Sequence, residues 1–342
     1  MKQKTVFLCS DCGYESPKWY GKCPSCGAWN TMSEFKPAAP SAARGTTSFV
    51  RGASRPTLLG DIETGDEARF LSGIGELDRV LGGGAVHGSF VLVGGEPGIG
   101  KSTLLLQMCQ EMCRNARVLY VSGEESEEQI KMRADRVCSG QELQNLFLLS
   151  ETNMENIEEV CKTLEPVFVI IDSIQTMYTA EMDSAPGSVS QVRACGNLLM
   201  RIGKVTGVPI FIVAHVTKSG ELAGPKIVEH LVDCVLNFTG ERSQELRILR
   251  SHKNRFGTTS EIGAFEMAEE GLMEVCNLSE SFLEGMETAV EGAADTAIYE
   301  GTRPLLLEVQ ALAAPANVGF ARRTAIGVEH TRLNMILAVL DR

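Results

Sequence analysis

Short apolar runs alternate with longer amphipathic stretches between residues 88 and 216. The apolar runs are SFVLVGG, ARVLYVSG, PVFVIID and VPIFIVAHV, and the stretches between them include STLLLQMCQEMCR and VSQVRACGNLLMRIGKV. This alternation is typical of a mostly parallel sheet that is covered by helices on both faces. We therefore expect an α/β core.

The pattern changes after Glu229. The segments HLVDCVLNFTG, ELRILRSHKN and IGAFEMAEEGLMEV predict antiparallel strands joined by short polar turns. From about Leu278 a further domain begins, with a strand-like RPLLLEVQALAAP and a helical HTRLNMILAVL. Residues 36–66 are rich in Ala, Pro, Ser, Thr and Gly and predict a linker. The expected parts are therefore residues 1–35, the linker 36–66, residues 67–277 and residues 278–342.

The charge and hydropathy of the chain bear on whether it binds nucleic acid or a membrane. The chain of 342 residues has a net charge of −12, but residues 261–302 hold eleven acidic and no basic residues, which leaves −1 for the remainder. Nucleic acid is therefore not excluded as a partner. No apolar run approaches the length of a membrane span, and the first residues lack an apolar signal core, so we expect a cytoplasmic protein without a membrane partner.

Four of the eleven cysteines form two closely spaced pairs, CSDCG and CPSCG. Tetrahedral zinc requires four soft ligands, and a CxxC turn followed by glycine presents two thiolates. Two disulfides would be the alternative, and they do not suit a cytoplasmic chain. We predict a structural zinc site formed by Cys9, Cys12, Cys23 and Cys26.

The other cysteines and the aromatic residues near the pairs have less specific patterns. The seven scattered cysteines predict small buried core residues: Cys109, Cys113, Cys138, Cys161, Cys195, Cys234 and Cys276. Trp19, Tyr20 and Trp29, with Lys18 and Lys22, could form a stacking surface for bases or for a partner protein, or they could complete the small core. The residues alone leave this choice open.

The segment GEPGIGKS follows an apolar strand and precedes a Leu-rich helix, which is the context of a phosphate-binding loop. Glycines let the backbone wrap around phosphate oxygens, Lys101 supplies a charge to the β- and γ-phosphates, and the Ser102 hydroxyl can bind magnesium. ATP and Mg²⁺ are thus the expected ligands. The predicted nucleotide-binding residues are Gly95, Glu96, Pro97, Gly98, Ile99, Gly100, Lys101, Ser102, Thr103 and Asp172.

Hydrolysis also requires carboxylates near the phosphates. Asp172 ends the strand VFVIID, where it could assist magnesium or, alternatively, cap a helix. Glu124 or Glu125 follows VLYVSG and could orient the attacking water, although both would also suit the first turn of a helix. His215 lies near the end of its strand and could be functional or merely packed.

The motif KNRFG places Lys253 and Arg255 at the end of a strand, far along the chain from the phosphate loop. They could reach phosphate across a subunit boundary, contact DNA phosphates, or form a solvated strand end. Composition does not choose among these.

The two cysteine pairs, GGEPGIGKST, VIIDSIQT and KNRFG together resemble the RadA (Sms) family of bacterial DNA-repair proteins over essentially the whole chain. The resemblance implies a RecA-type fold behind the zinc module, and an incomplete domain similar to the Lon protease at residues 278–342. It implies that Glu124 is the catalytic glutamate, that His215 senses the γ-phosphate, and that Lys253 and Arg255 act across a subunit interface.

The resemblance further implies a DNA-dependent ATPase that binds single-stranded DNA and promotes branch migration of recombination intermediates. Its expected partners are a RecA-type recombinase and further copies of the chain in a hexameric ring. The segments after Met177 and Val216 would line the DNA channel, and the DNA-contacting residues would be Lys218, Lys226, Arg322 and Arg323. The alternative is a nucleotide-switched regulator that recruits a partner through its zinc module.

Overall fold

The computed structural model describes residues 6–9, 14–25, 27–35, 58, 69–138, 143–215, 227–240, 245–283, 291–313 and 324–340. The chain divides into two compact units, the first formed by Met1–Leu278 with Tyr299–Leu305 and the second by Ser279–Ile298 with Leu306–Arg342. Six predicted site residues lie outside the described residues: Cys12, Cys26, Lys218, Lys226, Arg322 and Arg323.

The N-terminal module is a three-stranded antiparallel sheet with the strand order β2-β1-β3. Its strands are β1 (Val6–Cys9), β2 (Glu15–Ser16) and β3 (Met32–Phe35). Cys9, Cys23 and Met32 are buried with Phe7 packed against them. Trp19, Tyr20 and Trp29 are 56%, 42% and 70% exposed, so these aromatic side chains do not complete the small core.

A nine-stranded sheet of order β14-β13-β12-β11-β6-β10-β9-β7-β8 forms the centre of the first unit. Its strands are β6 (Phe90–Gly95), β7 (Val118–Ser122), β8 (Leu146–Ser150), β9 (Phe168–Asp172), β10 (Ile210–His215), β11 (Cys234–Thr239), β12 (Leu246–Asn254), β13 (Ile262–Ala268) and β14 (Gly271–Glu274). Beside it, β4 (Arg69–Phe70) pairs with β5 (Ala85–Val86).

The six strands from β11 to β8 are parallel, and β12, β13 and β14 are added antiparallel. The prediction of an antiparallel β11 was therefore wrong in part, since β11 is parallel to β6 and antiparallel only to β12. In the parallel pair, Cys234 of β11 aligns with Val91 of β6. Strand β11 is therefore the last strand of the parallel part, next to the antiparallel strands.

Helices cover both faces of this sheet, as the alternating pattern predicts. The helices are α1 (Gly75–Leu81), α2 (Lys101–Met112), α3 (Glu127–Val137), α4 (Met154–Leu164), α5 (Val189–Thr206) and α6 (Ile227–Leu231). Strand β6 shows how the faces are separated, because Val91 and Val93 pack with α2 while Phe90 and Leu92 pack with α5. Six of the seven scattered cysteines are buried, but Cys276 is exposed because it lies beyond the end of edge strand β14.

Four further elements follow the central sheet: α7 (Leu278–Leu283), the paired strands β15 (Ala293–Glu300) and β16 (Arg303–Gln310), and α8 (His330–Leu340). The predicted strand and helix of this region are thus present. The turn between β15 and β16 belongs to the first unit, where Arg303 forms a buried ion pair with Glu76. Within the described ranges, no helix is long and apolar enough to cross a membrane.

Candidate nucleotide site

The phosphate loop connects the end of β6 to the first residue of α2. Gly95 and Gly100 adopt positive φ angles of 153° and 117°. A side chain on Gly95 would approach the Cβ and carbonyl oxygen of Phe238 to 3.0 Å, so the residue must be glycine here. The first amides of a helix lack carbonyl partners within it, so those of α2, which begins at Lys101 directly after the loop, can stabilise an anion.

Lys101 is 4% exposed, and its Nζ donates to the carbonyl oxygens of Gly95 and Glu96, each at 2.9 Å. Burial lowers the pKa of the Lys101 ammonium, and the carboxylates of Asp172 and Glu124 partly oppose this shift. The loop, the ammonium and both carboxylates therefore lie at one edge of the sheet. Among the other predicted nucleotide-binding residues, Ser102 and Thr103 are half-buried in the first turn of α2.

Asp172 is the last residue of β9 and aligns with Ser122 of β7. Its Oδ2 accepts a hydrogen bond of 2.6 Å from the hydroxyl of Tyr120, whose pKa is raised well above its ordinary value by burial and by Asp172. The alternative that Asp172 is a helix N-cap is wrong, because Ser173 occupies the N-cap position of the short 3-10 helix that follows. Nothing in the sequence indicated a role for Tyr120, because in the run VLYVS it resembles the other apolar strand residues.

Glu124 and Glu125 have different environments. The Ser173 hydroxyl donates to Oε1 of Glu124, beside Asp172. Glu125 instead forms an ion pair with Arg133 of α3, and its amide donates to Oγ of Ser122 at 3.0 Å. Neither glutamate belongs to the first turn of a helix, since α3 begins at Glu127 behind a Ser126 cap.

His215 is the last residue of β10 and aligns with Gly95, the first glycine of the phosphate loop. The backbone therefore brings it beside the loop on a neighbouring parallel strand. Glu96 and Pro97 are exposed at the loop tip, whereas Ile99 is buried beneath it.

The segment after Met177 is held by one buried side chain. Gln191 accepts from the Thr179 amide at 3.0 Å and donates to the carbonyl oxygens of Thr179, Met182 and Ser184. The charged residues of this segment are Glu181 and Asp183. Its side chains consequently offer no cation for DNA phosphates.

Two cysteine amides of the N-terminal module make corresponding backbone hydrogen bonds. The amide of Cys9 donates to the carbonyl oxygen of Tyr14 at 3.0 Å, and that of Cys23 donates to Ala28 at 2.8 Å. Each bond spans five residues, and both thiols are buried together in one cluster. These residues fit a metal knuckle, in which backbone turns present thiolates to zinc.

Lys253 and Arg255 lie at the opposite edge of the sheet from the phosphate loop. Lys253 of β12 aligns with Val235, which aligns with Leu92 near the start of β6. The phosphate loop begins at the other end of β6, at Gly95, and the whole strand from Phe90 is about 16 Å long at 3.3 Å per residue. The two cations therefore face away from the loop of their own chain.

Hydrogen bonds fix the KNRFG segment at this edge. The Lys253 ammonium donates to the carbonyl oxygen of Glu229 at 2.7 Å. The pKa of Lys253 is lowered mainly by burial and, to a smaller extent, by the positive charge of Arg255. Asn254 donates to the last carbonyl oxygens of α1, those of Val80 and Leu81. Arg255 keeps 58% of its side chain exposed while it pairs with Asp233 at 3.1 Å.

Family models match two parts of the chain. The model described as AAA domain matches residues 57–221, and the model described as rubredoxin metal binding domain matches residues 7–34. The first match contains the phosphate loop and both carboxylate strands. The second contains all four cysteines of the predicted zinc site.

Two relatives and one solved structure extend these matches. DNA repair protein RadA of Bacillus subtilis (strain 168) is 53% identical over 100% of this chain and 75% of its own length. DNA repair protein RadA of Listeria monocytogenes serovar 1/2a (strain ATCC BAA-679 / EGD-e) is 50% identical over 100% and 74%. The ATPase domain of G40P superposes with a TM-score of 0.51 and 16% identity, covering 62% of this chain and 93% of that one, a likeness of fold alone. The predicted RecA-type α/β fold behind a zinc ribbon is thus confirmed.

Proposed function

The chain belongs to the RadA family of DNA repair proteins, and on this premise we propose that it is an ATP-dependent DNA motor of recombinational repair. The motor binds single-stranded DNA and extends strand exchange by branch migration. The observation that carries the proposal is that two sets of charged groups lie at opposite edges of one sheet. A phosphate loop with two carboxylates occupies one edge, and the KNRFG cations occupy the other.

In the proposed mechanism the loop amides and Lys101 bind the β- and γ-phosphates of ATP. Ser102 and Asp172 would hold Mg²⁺, whose positive charge neutralises the phosphates. Tyr120 fixes the Asp172 carboxylate through its hydrogen bond of 2.6 Å. His215 would sense the γ-phosphate, and the alignment of its backbone with Gly95 supports this role.

Glu124 orients and deprotonates the attacking water. Its hydrogen bond with Ser173, next to Asp172, supports this role, and the ion pair of Glu125 with Arg133 of α3 supports a structural role for the second glutamate. The resemblance to the family and the local contacts therefore favour the same residue.

Lys253 and Arg255 stabilise the phosphates bound by a neighbouring copy, a role that is supported by their position at the edge of the sheet opposite the loop of their own chain. Each complete site consequently needs two copies, and a hexameric ring supplies a neighbour for every site. Cys9, Cys12, Cys23 and Cys26 hold a structural zinc ion. DNA contacts of Lys218, Lys226, Arg322 and Arg323 stay predictions, as does a RecA-type recombinase partner.

The test measures ATP turnover and strand extension by the purified chain with and without single-stranded DNA. We expect DNA to accelerate turnover and ATP to drive extension in one direction. A protein that shows neither response is not a DNA motor.

A nucleotide-switched regulator is the competing function, and it requires ATP binding but not hydrolysis. Glu124→Gln would leave such a regulator active in partner recruitment, whereas Lys101→Ala would abolish it. For a motor, both variants lose strand extension.

A further inference from the structure

Asp233 lies immediately before β11, and its side chain is 4% exposed. Its Oδ1 accepts from Nη1 of Arg255 at 3.1 Å. Its Oδ2 accepts from the Phe90 amide at 3.1 Å and from Nζ of Lys204 at 2.6 Å. One buried carboxylate thus connects three donors that come from β6, α5 and the KNRFG segment.

Backbone contacts reinforce these side-chain bonds. The Arg255 amide donates to the carbonyl oxygen of Asp233 at 3.1 Å, and the Asp233 amide donates to Phe90 at 2.7 Å. Arg255 is therefore held by Asp233 at both its backbone and its guanidinium. Phe90 is the first residue of the strand that ends at Gly95, so the same aspartate also contacts the strand of its own phosphate loop.

The charges at this edge leave Arg255 able to attract an anion. Among the described residues at this edge, the three cations Lys204, Lys253 and Arg255 lie near the two carboxylates of Asp233 and Glu229. The side chains of Arg255 and Lys204 are 58% and 49% exposed. A buried acceptor behind an exposed guanidinium restricts its orientation without covering its outer donors, which is the arrangement of a preorganised phosphate-binding group.

We propose that Asp233 is a positioning residue of the intersubunit nucleotide site, which holds the Arg255 guanidinium toward the phosphates bound by the neighbouring copy. The inference rests on the proposed action of Arg255 across the interface. Each proposed site has a loop half, the phosphate loop and carboxylates of one copy, and a cation half, Lys253 and Arg255 of the neighbouring copy. The proposal assigns Asp233 to the cation half, although Asp233 also contacts the strand that leads to the phosphate loop of its own chain.

Asp233→Asn tests the assignment, because an amide oxygen can still accept from Phe90 while the carboxylate charge is lost. A hydrogen bond to a charged group contributes about 1.5–3 kcal/mol, which corresponds to a decrease in kcat of about 10- to 150-fold. We expect kcat to fall within this range with little change in the KM for ATP. The Asp233→Asn, Arg255→Ala double variant should be no slower than Arg255→Ala alone.

Mixed oligomers then show on which half of the site Asp233 acts. Glu124→Gln subunits have a defective loop half and an intact cation half. Mixed with Asp233→Asn subunits they should restore ATP turnover, whereas a mixture of Asp233→Asn with Arg255→Ala should not, because both lack a working cation half. The reverse pattern, with recovery only in the second mixture, overturns the proposal and assigns Asp233 to the loop of its own chain.

The mixture of Arg255→Ala with Glu124→Gln is the control for the underlying premise. Failure of that mixture to recover turnover refutes the action of Arg255 across the interface, and so is distinguishable from a failure of Asp233 alone. Thermal unfolding checks that Asp233→Asn is folded. Asp233→Glu, which keeps the charge but displaces the carboxylate by one methylene, is the second variant, and the same pattern of recovery is expected from it.

Discussion

Substitution of Glu124 by glutamine, with Glu125→Gln as the matched control, tests which carboxylate activates water. The two positions are adjacent and receive the same change. A glutamine at position 124 can still accept the hydrogen bond from the Ser173 hydroxyl through its amide oxygen. The expected loss at this position is therefore a loss of basicity and charge rather than of local structure.

The two variants should differ greatly in rate. Removing a general base lowers kcat by about 100- to 10,000-fold, which is about 3–5 kcal/mol in the activation free energy. The side chains of Glu125 and Arg133 are 33% and 24% exposed, so solvent screens their ion pair. We expect Glu125→Gln to lower the free energy of unfolding by about 0.2–1 kcal/mol and to change kcat by about twofold or less.

The assay compares steady-state ATP turnover at saturating single-stranded DNA with the equilibrium binding of a fluorescent ATP analogue. Both variants should bind the analogue as the parent does. A Glu125→Gln variant that binds nucleotide but turns over more slowly than Glu124→Gln would refute the reasoning and identify Glu125 as the base.

Three further predictions concern the buried ion pair, the loop lysine and the zinc module. Arg303→Ala removes the buried partner of the Glu76 carboxylate, which is 3% exposed and keeps the Ala264 amide and the more exposed Arg79 as partners. The variant should lose about 3 kcal/mol in urea unfolding, the low end for breaking a buried ion pair, and a loss below about 1 kcal/mol contradicts this. Burial lowers the pKa of Lys101 and bound phosphates would raise it, so ATP binding should take up protons at pH values between the lowered pKa of Lys101 in the free site and its higher pKa in the occupied site. Calorimetry in two buffers of different ionisation enthalpy measures that uptake, and identical heats would exclude it. Cys9→Ser should remove zinc, as measured by atomic absorption. The variant should still bind ATP, because Cys9 lies in a sheet separate from the nine-stranded one. An unchanged zinc content would contradict the assignment of Cys9 as a ligand.

Local patterns were sufficient for the elements that form the nucleotide site. The strand, glycine-rich loop and helix around Lys101 are contiguous, so their sequence alone identified the loop. The apolar runs also predicted that Asp172 and His215 lie at one edge of the sheet, since each ends or nearly ends its run and parallel strands end at the same edge, but the role of His215 came only from the family resemblance. The direction of a strand relative to its neighbour was harder to predict. Strand β11 is parallel to β6, and this pairing depends on how the chain packs rather than on the residues of β11 itself.

Contacts between distant residues could not be predicted in this way. Asp233 is one aspartate in the apolar run HLVDCVL, and its partner Phe90 lies 143 residues away. Asn254 and Tyr120 likewise gain their roles from α1 and from Asp172, which only folding brings near. Cys276 followed an apolar run and was predicted to be buried, but β14 ends before it and leaves it exposed.

If Lys253 and Arg255 complete the nucleotide site of a neighbouring copy, as proposed, their separation from the phosphate loop of their own chain determines how many active sites an assembly contains. In an open row of copies, the first copy has a loop or a cation pair that no neighbour completes, so the row always contains one working site fewer than its number of chains. Closing the row restores the missing site, and an isolated chain has none. Specific activity should accordingly depend on protein concentration, with dilution abolishing ATP turnover before any chain unfolds.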